Sequence, residues 1–322
     1  MNDEDAVPTP RSAWPALDYA AWRETGATLH RWTQVVGKVR LALTPWLNHG
    51  WHVPLYVGAR GLGSSAIHVG GEVLEIEFDF VDHRLVLRTS SGPERGFALM
   101  PMSVADFHAR VFAELAAARI EVAIHPAPNE VEDATRFAAD TVHAAYDRAA
   151  AHACWRALVQ VDRVLRLFRT SFLGKASPVH FFWGSFDLAV TRFSGRAAPR
   201  HPGGIPHLPD AVTREAYSHE VSSAGFWPGS DAFPHAAFYS YAYPSPPGFA
   251  DARVEPEGAR WSKEMGEWLL PYEAVRSADD PDATLLRFLE TTYRAAADLG
   301  GWDPSLECAL GEPGRPRPVG PA

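Results

Sequence analysis

His219 and Glu220 stand side by side in Tyr217-Ser-His-Glu-Val221, and His180 heads the run Phe181-Phe-Trp183. Imidazoles beside carboxylates can move protons near neutral pH or hold a divalent metal. The His-Glu pair is not the helical zinc-protease motif, which needs a second histidine four residues on, where Ser223 stands. The surrounding pattern reads as a strand. Period two then puts Tyr217, His219, Val221 and Ser223 on one face and Glu220 on the other. On that geometry Glu220 is expected to hold Arg192 or Arg214 in an ion pair. His180 and His219 with one carboxylate, Asp187 or Glu220, would supply two imidazoles and a carboxylate, a ligand set for iron or zinc. Each of these residues also has a plain structural reading, as a hydrogen-bonded strand histidine or a solvated carboxylate.

Aromatic side chains surround these histidines in the sequence. Tyr239, Tyr241 and Tyr243 alternate, so they share one strand face, either as a packed ladder or as the wall of a pocket. Gly225-Phe-Trp-Pro-Gly229 reads as a rigid turn tipped by Trp227. The expected site is therefore a pocket in which His180 and His219 do acid–base or metal chemistry. Trp183, Trp227, Tyr239 and Tyr241 would line it around a small aromatic or apolar molecule. Arg60 in Gly58-Ala-Arg-Gly-Leu-Gly63 does not fit a dinucleotide or P-loop pattern, and no helix follows to cradle a phosphate. His201 and His207 fall in a Pro/Gly-rich excursion and read as loop histidines, and Cys154, beside Trp155, reads as core.

The elements that must position these residues alternate between helix and sheet. Leu29, Trp32, Val36, Val39 and Leu43 recur at helical spacing and predict a helix over 28–43, stopped by Pro45. Short strands follow over 53–57, 65–69, 73–81 and 84–89, the last two forming a hairpin at Asp82-His83. There Leu74, Ile76, Phe78 and Phe80 face inward, and Glu75, Glu77 and Asp79 outward. Ser103 is the expected N-cap of a helix to about Ile120. A long helical stretch is predicted over 132–172, then strands over 179–183, 186–193, 217–224 and 237–243, and a last helix over 282–299.

The two halves resemble each other. Trp32-Thr-Gln-Val-Val36 matches Trp155-Arg-Ala-Leu-Val159, and Leu99-Met-Pro101 matches Leu269-Leu-Pro271, each before a helix. This predicts an α+β fold: an internal duplication of a helix, antiparallel sheet and helix unit, with the second copy enlarged. The expected divisions are a disordered tail over 1–13, a first repeat over 14–125, a second with a long linking helix over 126–310, and a disordered tail over 311–322.

Three runs carry a family signature: Tyr217 to Gly229, containing His-Glu-Val-x-x-x-Gly-Phe-Trp-Pro-Gly; Phe238-Tyr-Ser-Tyr-Ala-Tyr-Pro244; and His180-Phe-Phe-Trp-Gly-Ser-Phe-Asp-Leu188. With Trp14-Pro-Ala-Leu17 and the segment 46–55, they make the chain resemble a bacterial family catalogued as a domain of unknown function. The resemblance spans nearly the whole chain. It implies membership and no particular reaction.

Composition narrows the field further. The 322 residues carry 30 Lys+Arg against 39 Asp+Glu, a formal net charge of −9, with no basic run. That balance speaks against nucleic-acid or anionic-membrane partners. No apolar stretch approaches the ~20 residues of a membrane helix. Two cysteines, Cys154 and Cys308, are too few for a disulfide framework, and a cytoplasmic protein is expected. Two functional classes fit: an enzyme acting on a small molecule, with or without a metal, and a non-catalytic ligand-binding or interaction module.

Overall fold

The computed structural model describes residues 13–231, 233–312 and 315. Most of the two expected tails lies outside these. The chain is an α+β protein with two antiparallel sheets and six α-helices among the described residues.

Helix α1 (Tyr19–Leu43) starts earlier than hydrophobic spacing alone indicates, because Asp18 caps it by accepting a bond from the Ala20 N–H. Every residue from 31 to 40 is buried. On one side Trp32 stacks between Phe107 and Tyr146, with ring centroids 4.6 and 5.6 Å away. On another, Gly37 lies under the Trp183 indole, where a Cβ would come within 2.2 Å of the ring.

The first sheet contains β1 (Tyr56–Val57), β2 (Gly61–Gly63), β3 (Ile67–Val69), β4 (Glu72–Asp79), β5 (Arg84–Thr89) and β6 (Arg95–Ala98). Its strand order is β1-β2-β4-β5-β6, with β3 paired to part of β4. Helix α2 (Val104–Ala117) follows, capped by Ser103 as expected. Leu74, Ile76, Phe78 and Phe80 are buried, and Glu75 is exposed, as period two requires. Asp79 departs from the pattern and is 4% exposed. Its carboxylate accepts from the Val81 and Asp82 N–H groups and from Arg60, so it builds the turn instead of facing water. Glu77 is half-buried and paired with Arg88 at 2.8 Å.

The long helix expected over 132–172 forms only in its second part, α3 (Arg148–Arg169), capped by Asp147. Before it, the chain runs irregularly. Asp140 is buried, bonds the Val142 and His143 N–H groups and sits 3.4 Å from Arg31. Local side-chain bonds of this kind compete directly with helix formation.

The second sheet contains β7 (His180–Phe182), β8 (Asp187–Ala197), β9 (His219–Trp227), β10 (Ala237–Tyr243), β11 (Arg260–Ser262) and β12 (Glu267–Pro271), in the order β11-β12-β10-β9-β8-β7. Helix α4 (Asp210–Ala216) precedes β9, and α5 (Tyr272–Arg276) and α6 (Pro281–Leu299) follow β12. One face of this sheet, with Leu188, Val190, Ala224, Phe226, Phe238 and Leu270, is buried in the core shared with Tyr272, Leu285, Phe288 and Leu289. The other face carries the polar and aromatic residues described below. The two sheets meet edge to edge, where Leu55 and Phe181 exchange both backbone hydrogen bonds, at 2.9 and 2.8 Å.

Gly37→Ala should clash with Trp183 and destabilise the protein by about 1–3 kcal/mol, the usual cost of overpacking. Denaturant unfolding followed by tryptophan fluorescence measures it. An unchanged midpoint would show that Trp183 does not depend on this contact.

Candidate functional site

The three family-type motifs meet on the outer face of the second sheet. Register sets this up: Tyr239 pairs with Gly225 and Tyr241 with Ser223 across β9 and β10, while Gly225 pairs with Ala189 and Ser223 with Thr191 on β8. Residues directly opposite share a face. Gly225 has a specific task. A Cβ there would lie 2.4 Å from the Tyr239 hydroxyl and 2.4 Å from the Leu188 carbonyl oxygen. Without a side chain at 225, the Tyr239 phenol crosses β9 and donates to the Asp187 carboxylate on β8. Ser185 donates to the other oxygen of Asp187 at 2.5 Å.

Around this pair the aromatic rings form a continuous layer. Trp227 stacks on Tyr239 with centroids 4.5 Å apart, and Tyr239 lies parallel to Tyr241 at 6.1 Å. The Tyr217 hydroxyl donates to the Tyr241 hydroxyl at 3.1 Å, and Thr191 and Ser223 share a hydrogen bond of 2.8 Å. Trp183 is fixed by its indole N–H, which donates to the Val53 carbonyl at 2.9 Å.

Two further carboxylates border the layer. Glu267 begins β12, and one of its oxygens is buried with no hydrogen-bond partner. Glu130 comes from the irregular segment, in a left-handed conformation with φ 54°, its carboxylate lying where a Cβ on Gly184 would be. A non-glycine residue held at positive φ stores strain that its surroundings must hold in place. The segment is clamped by α1, whose Gln34 side chain bonds both the N–H and the C=O of Asn129, at 2.7 and 2.8 Å. His207 adds its carbonyl oxygen, which accepts from the Glu130 N–H at 3.3 Å.

Burial dominates the electrostatics here. It pushes Glu267 up to about 8, aided by the charge of Asp187. It pushes Glu130 up to about 7, with Asp187 adding to the rise and Lys38 opposing it. Asp187 is also raised by burial, against the hydrogen bonds from Ser185 and Tyr239. Lys38, the neighbouring cation, is driven down to about 8 by burial, which Glu130 opposes. Near neutral pH this face can therefore take up or release protons, hydrogen-bond a polar group and stack against a planar one.

Trp227, Tyr239, Tyr241 and Asp187 thus form this face, whereas Trp183 is buried in the core against Gly37 of α1. The two histidines are not brought together. His180 pairs with Ala189, which pairs with Gly225, and His219 lies six residues farther along β9, about 20 Å at 3.3 Å per residue. His180 is 1% exposed, bonded at Nδ1 to the Pro178 carbonyl oxygen and driven down to about 4 by burial. His219 sits at the start of β9 with its ring 5.9 Å from that of His49. The shared metal site built on these histidines is therefore corrected: a metal bond is ~2 Å long. Among the described residues no group of three or more His, Cys, Asp and Glu side chains is placed to hold a metal ion. Glu220 faces away from His219, as alternation requires, and pairs with Arg196 at 2.6 Å rather than with Arg192 or Arg214. His201 packs on Tyr217 and Tyr243, at 4.9 and 5.0 Å, and so borders the aromatic layer from the loop.

A groove of about 360 Å³ lies elsewhere, lined by Gly248, Ala252, Arg253 and α6 residues including Thr291 and Leu299, and shares no residue with this face.

The chain belongs to a family of unknown function (DUF5996), whose profile matches residues 14–308. No curated protein and no solved structure matches it.

The titrations have opposite signs. His30 and His180 are held near 4, below the ordinary 6.5, so the unfolded chain binds protons first and stability is lost as pH falls from about 6.5 towards 4. Glu130 and Glu267 are raised from 4.5, so the folded chain retains protons that the unfolded chain releases, and stability falls as pH rises from about 4.5 towards 8. Glu267→Gln should accordingly raise Tm at pH 9 by more than at pH 5. Equal shifts at both pH values would show that Glu267 ionises freely in the folded protein.

Proposed function

We propose that this chain is a small-molecule-binding protein whose ligand lies on the outer face of the second sheet, over Tyr239 and Tyr241. The observation that carries the reading is the unpartnered, buried oxygen of Glu267 beside the Tyr239–Asp187 pair. A buried polar oxygen without a partner costs roughly 1–3 kcal/mol, and a ligand group that hydrogen-bonds it recovers that cost. Trp227 and Tyr241 offer ring surface to a planar ligand, and both are half-buried, so solvent reaches them.

An enzyme reading has its own support. Glu130, near 7, has the proton affinity of a general acid or base at neutral pH. Acid–base work on a small aromatic or apolar metabolite is thus ascribed to carboxylates, where the sequence pointed to histidines. The alternative is a non-catalytic ligand-binding module on the same face.

The two free, buried cysteines suit a reducing compartment, and a cytoplasmic location belongs to this reading. No helix among the described residues is long and apolar enough to cross a membrane. We also read the halves as copies of one unit, because β1-β2-β4-β5-β6 and β7-β8-β9-β10-β12 run in the same order.

A thermal-shift screen of small phenols, aromatic carbonyls and aromatic amines tests the site. A ligand at 100 times its Kd stabilises by about 2.7 kcal/mol. The shift should be lost in Tyr241→Ala and Glu267→Gln proteins that remain folded. A ligand that shifts both variants as it shifts the wild type binds elsewhere and sinks the assignment.

A further inference from the structure

The sequence has 3 lysines and 27 arginines. Within the buried run of α1, two of the three cations are arginines, each used as an arginine. Arg31 bonds the Ala27 and Asp133 carbonyl oxygens and sits 3.4 Å from Asp140, and Arg40 bonds the His52 carbonyl and the Ser65 hydroxyl. The third is Lys38, only 4% exposed. Its ammonium lies 5.4 Å from the Trp183 ring and donates to the Asn129 side-chain oxygen. That bond does not explain why the residue is a lysine, because Gln34 already holds Asn129 by both its backbone groups. A guanidinium stays charged under all ordinary conditions, whereas an amine can lose its proton and become a nucleophile.

We infer that Lys38 is an imine-forming amine, and that the ligand of the tyrosine–carboxylate face is a small aldehyde or ketone whose carbonyl carbon Lys38 Nζ attacks. This rests on the reading of that face as the binding site. The groups around Lys38 fit the chemistry. Its own helix contributes Gln34, which holds Asn129, the clamped segment contributes Asn129 and Glu130, and the β7–β8 turn contributes Trp183. Asp187 and Glu267 lie beyond Glu130 and interact with each other's charge.

Each step balances. The unprotonated Nζ adds to the carbonyl carbon, forming a C–N bond as the carbonyl π pair moves onto oxygen. A proton passes from nitrogen to that oxygen, giving a carbinolamine. The Glu130 carboxylic acid then protonates the hydroxyl, which leaves as water while the nitrogen lone pair closes the C=N bond. The products are one water, a Glu130 carboxylate and a protonated imine, with no change of oxidation state. The new cation is formed beside the Glu130 carboxylate that the same step leaves behind.

The test is reductive trapping in the full-length protein at pH 7, with 4-hydroxybenzaldehyde or 4-hydroxyacetophenone and sodium cyanoborohydride. Peptide mass spectrometry then reads all three lysines separately. We expect the secondary-amine adduct at Lys38 about tenfold or more above Lys175 and Lys263, although both of those are exposed and Lys38 is not. Glu130→Gln should slow trapping at Lys38 about tenfold and leave the other two unchanged. Adducts confined to Lys175 and Lys263, or spread equally, overturn the inference. If the carbonyl compound also gives a saturable thermal shift, the binding reading survives that failure; if it gives none, both readings fall for carbonyl ligands.

Discussion

The contact between Gly37 and Trp183 is the constraint on which the site depends. A helix buried on all sides from 31 to 40 can accept a tryptophan across its backbone only where it has no side chain. Once Trp183 is seated, the β7–β8 turn is fixed against α1. The carbonyl of Gly184 meets His30 at 2.7 Å, and Gly184 in turn leaves room for the Glu130 carboxylate. His30, Gln34 and Lys38 follow at intervals of four, so one stripe of the helix holds both the turn and the segment carrying Glu130. Apolar packing thereby sets the positions of charged groups that would not gather unaided.

Much of the frame was legible in the sequence because period two and period 3.6 are strong signals over β4, β5, β10, α2 and α6. The strands Gly61–Gly63 and Arg95–Ala98 carry too few apolar residues to announce themselves, and their pairing is decided by neighbours. The stretch before Arg148, expected as the first part of one long helix, is irregular. Asp140 bonds the backbone locally and is buried against Arg31, a contact between residues more than a hundred positions apart that no local pattern encodes.

The candidate site divides in the same way. Tyr239 and Tyr241 were visible because alternation on β10 assigns them to one face, whereas Trp227, read as the tip of a turn, ends strand β9 and pairs with Ala237. Histidine attracted the chemical reading since its ordinary proton affinity lies near neutrality. In the folded chain that property belongs to Glu130 and Glu267, whose ordinary values are far from neutrality until burial moves them. Such a shift is a property of the assembled interior. Lys38 did leave a trace, as one of three lysines in a chain that otherwise chooses arginine.

The paired bonds between Leu55 and Phe181 close the outer strand of one sheet against the outer strand of the other. Either half produced alone would present those backbone groups to solvent as an open edge, ready to accept a strand from any neighbouring chain. The natural neighbour would be another copy of the same fragment. Keeping both halves in one polypeptide makes that pairing intramolecular and leaves it no choice of partner, so the join between the sheets also serves as protection against self-association.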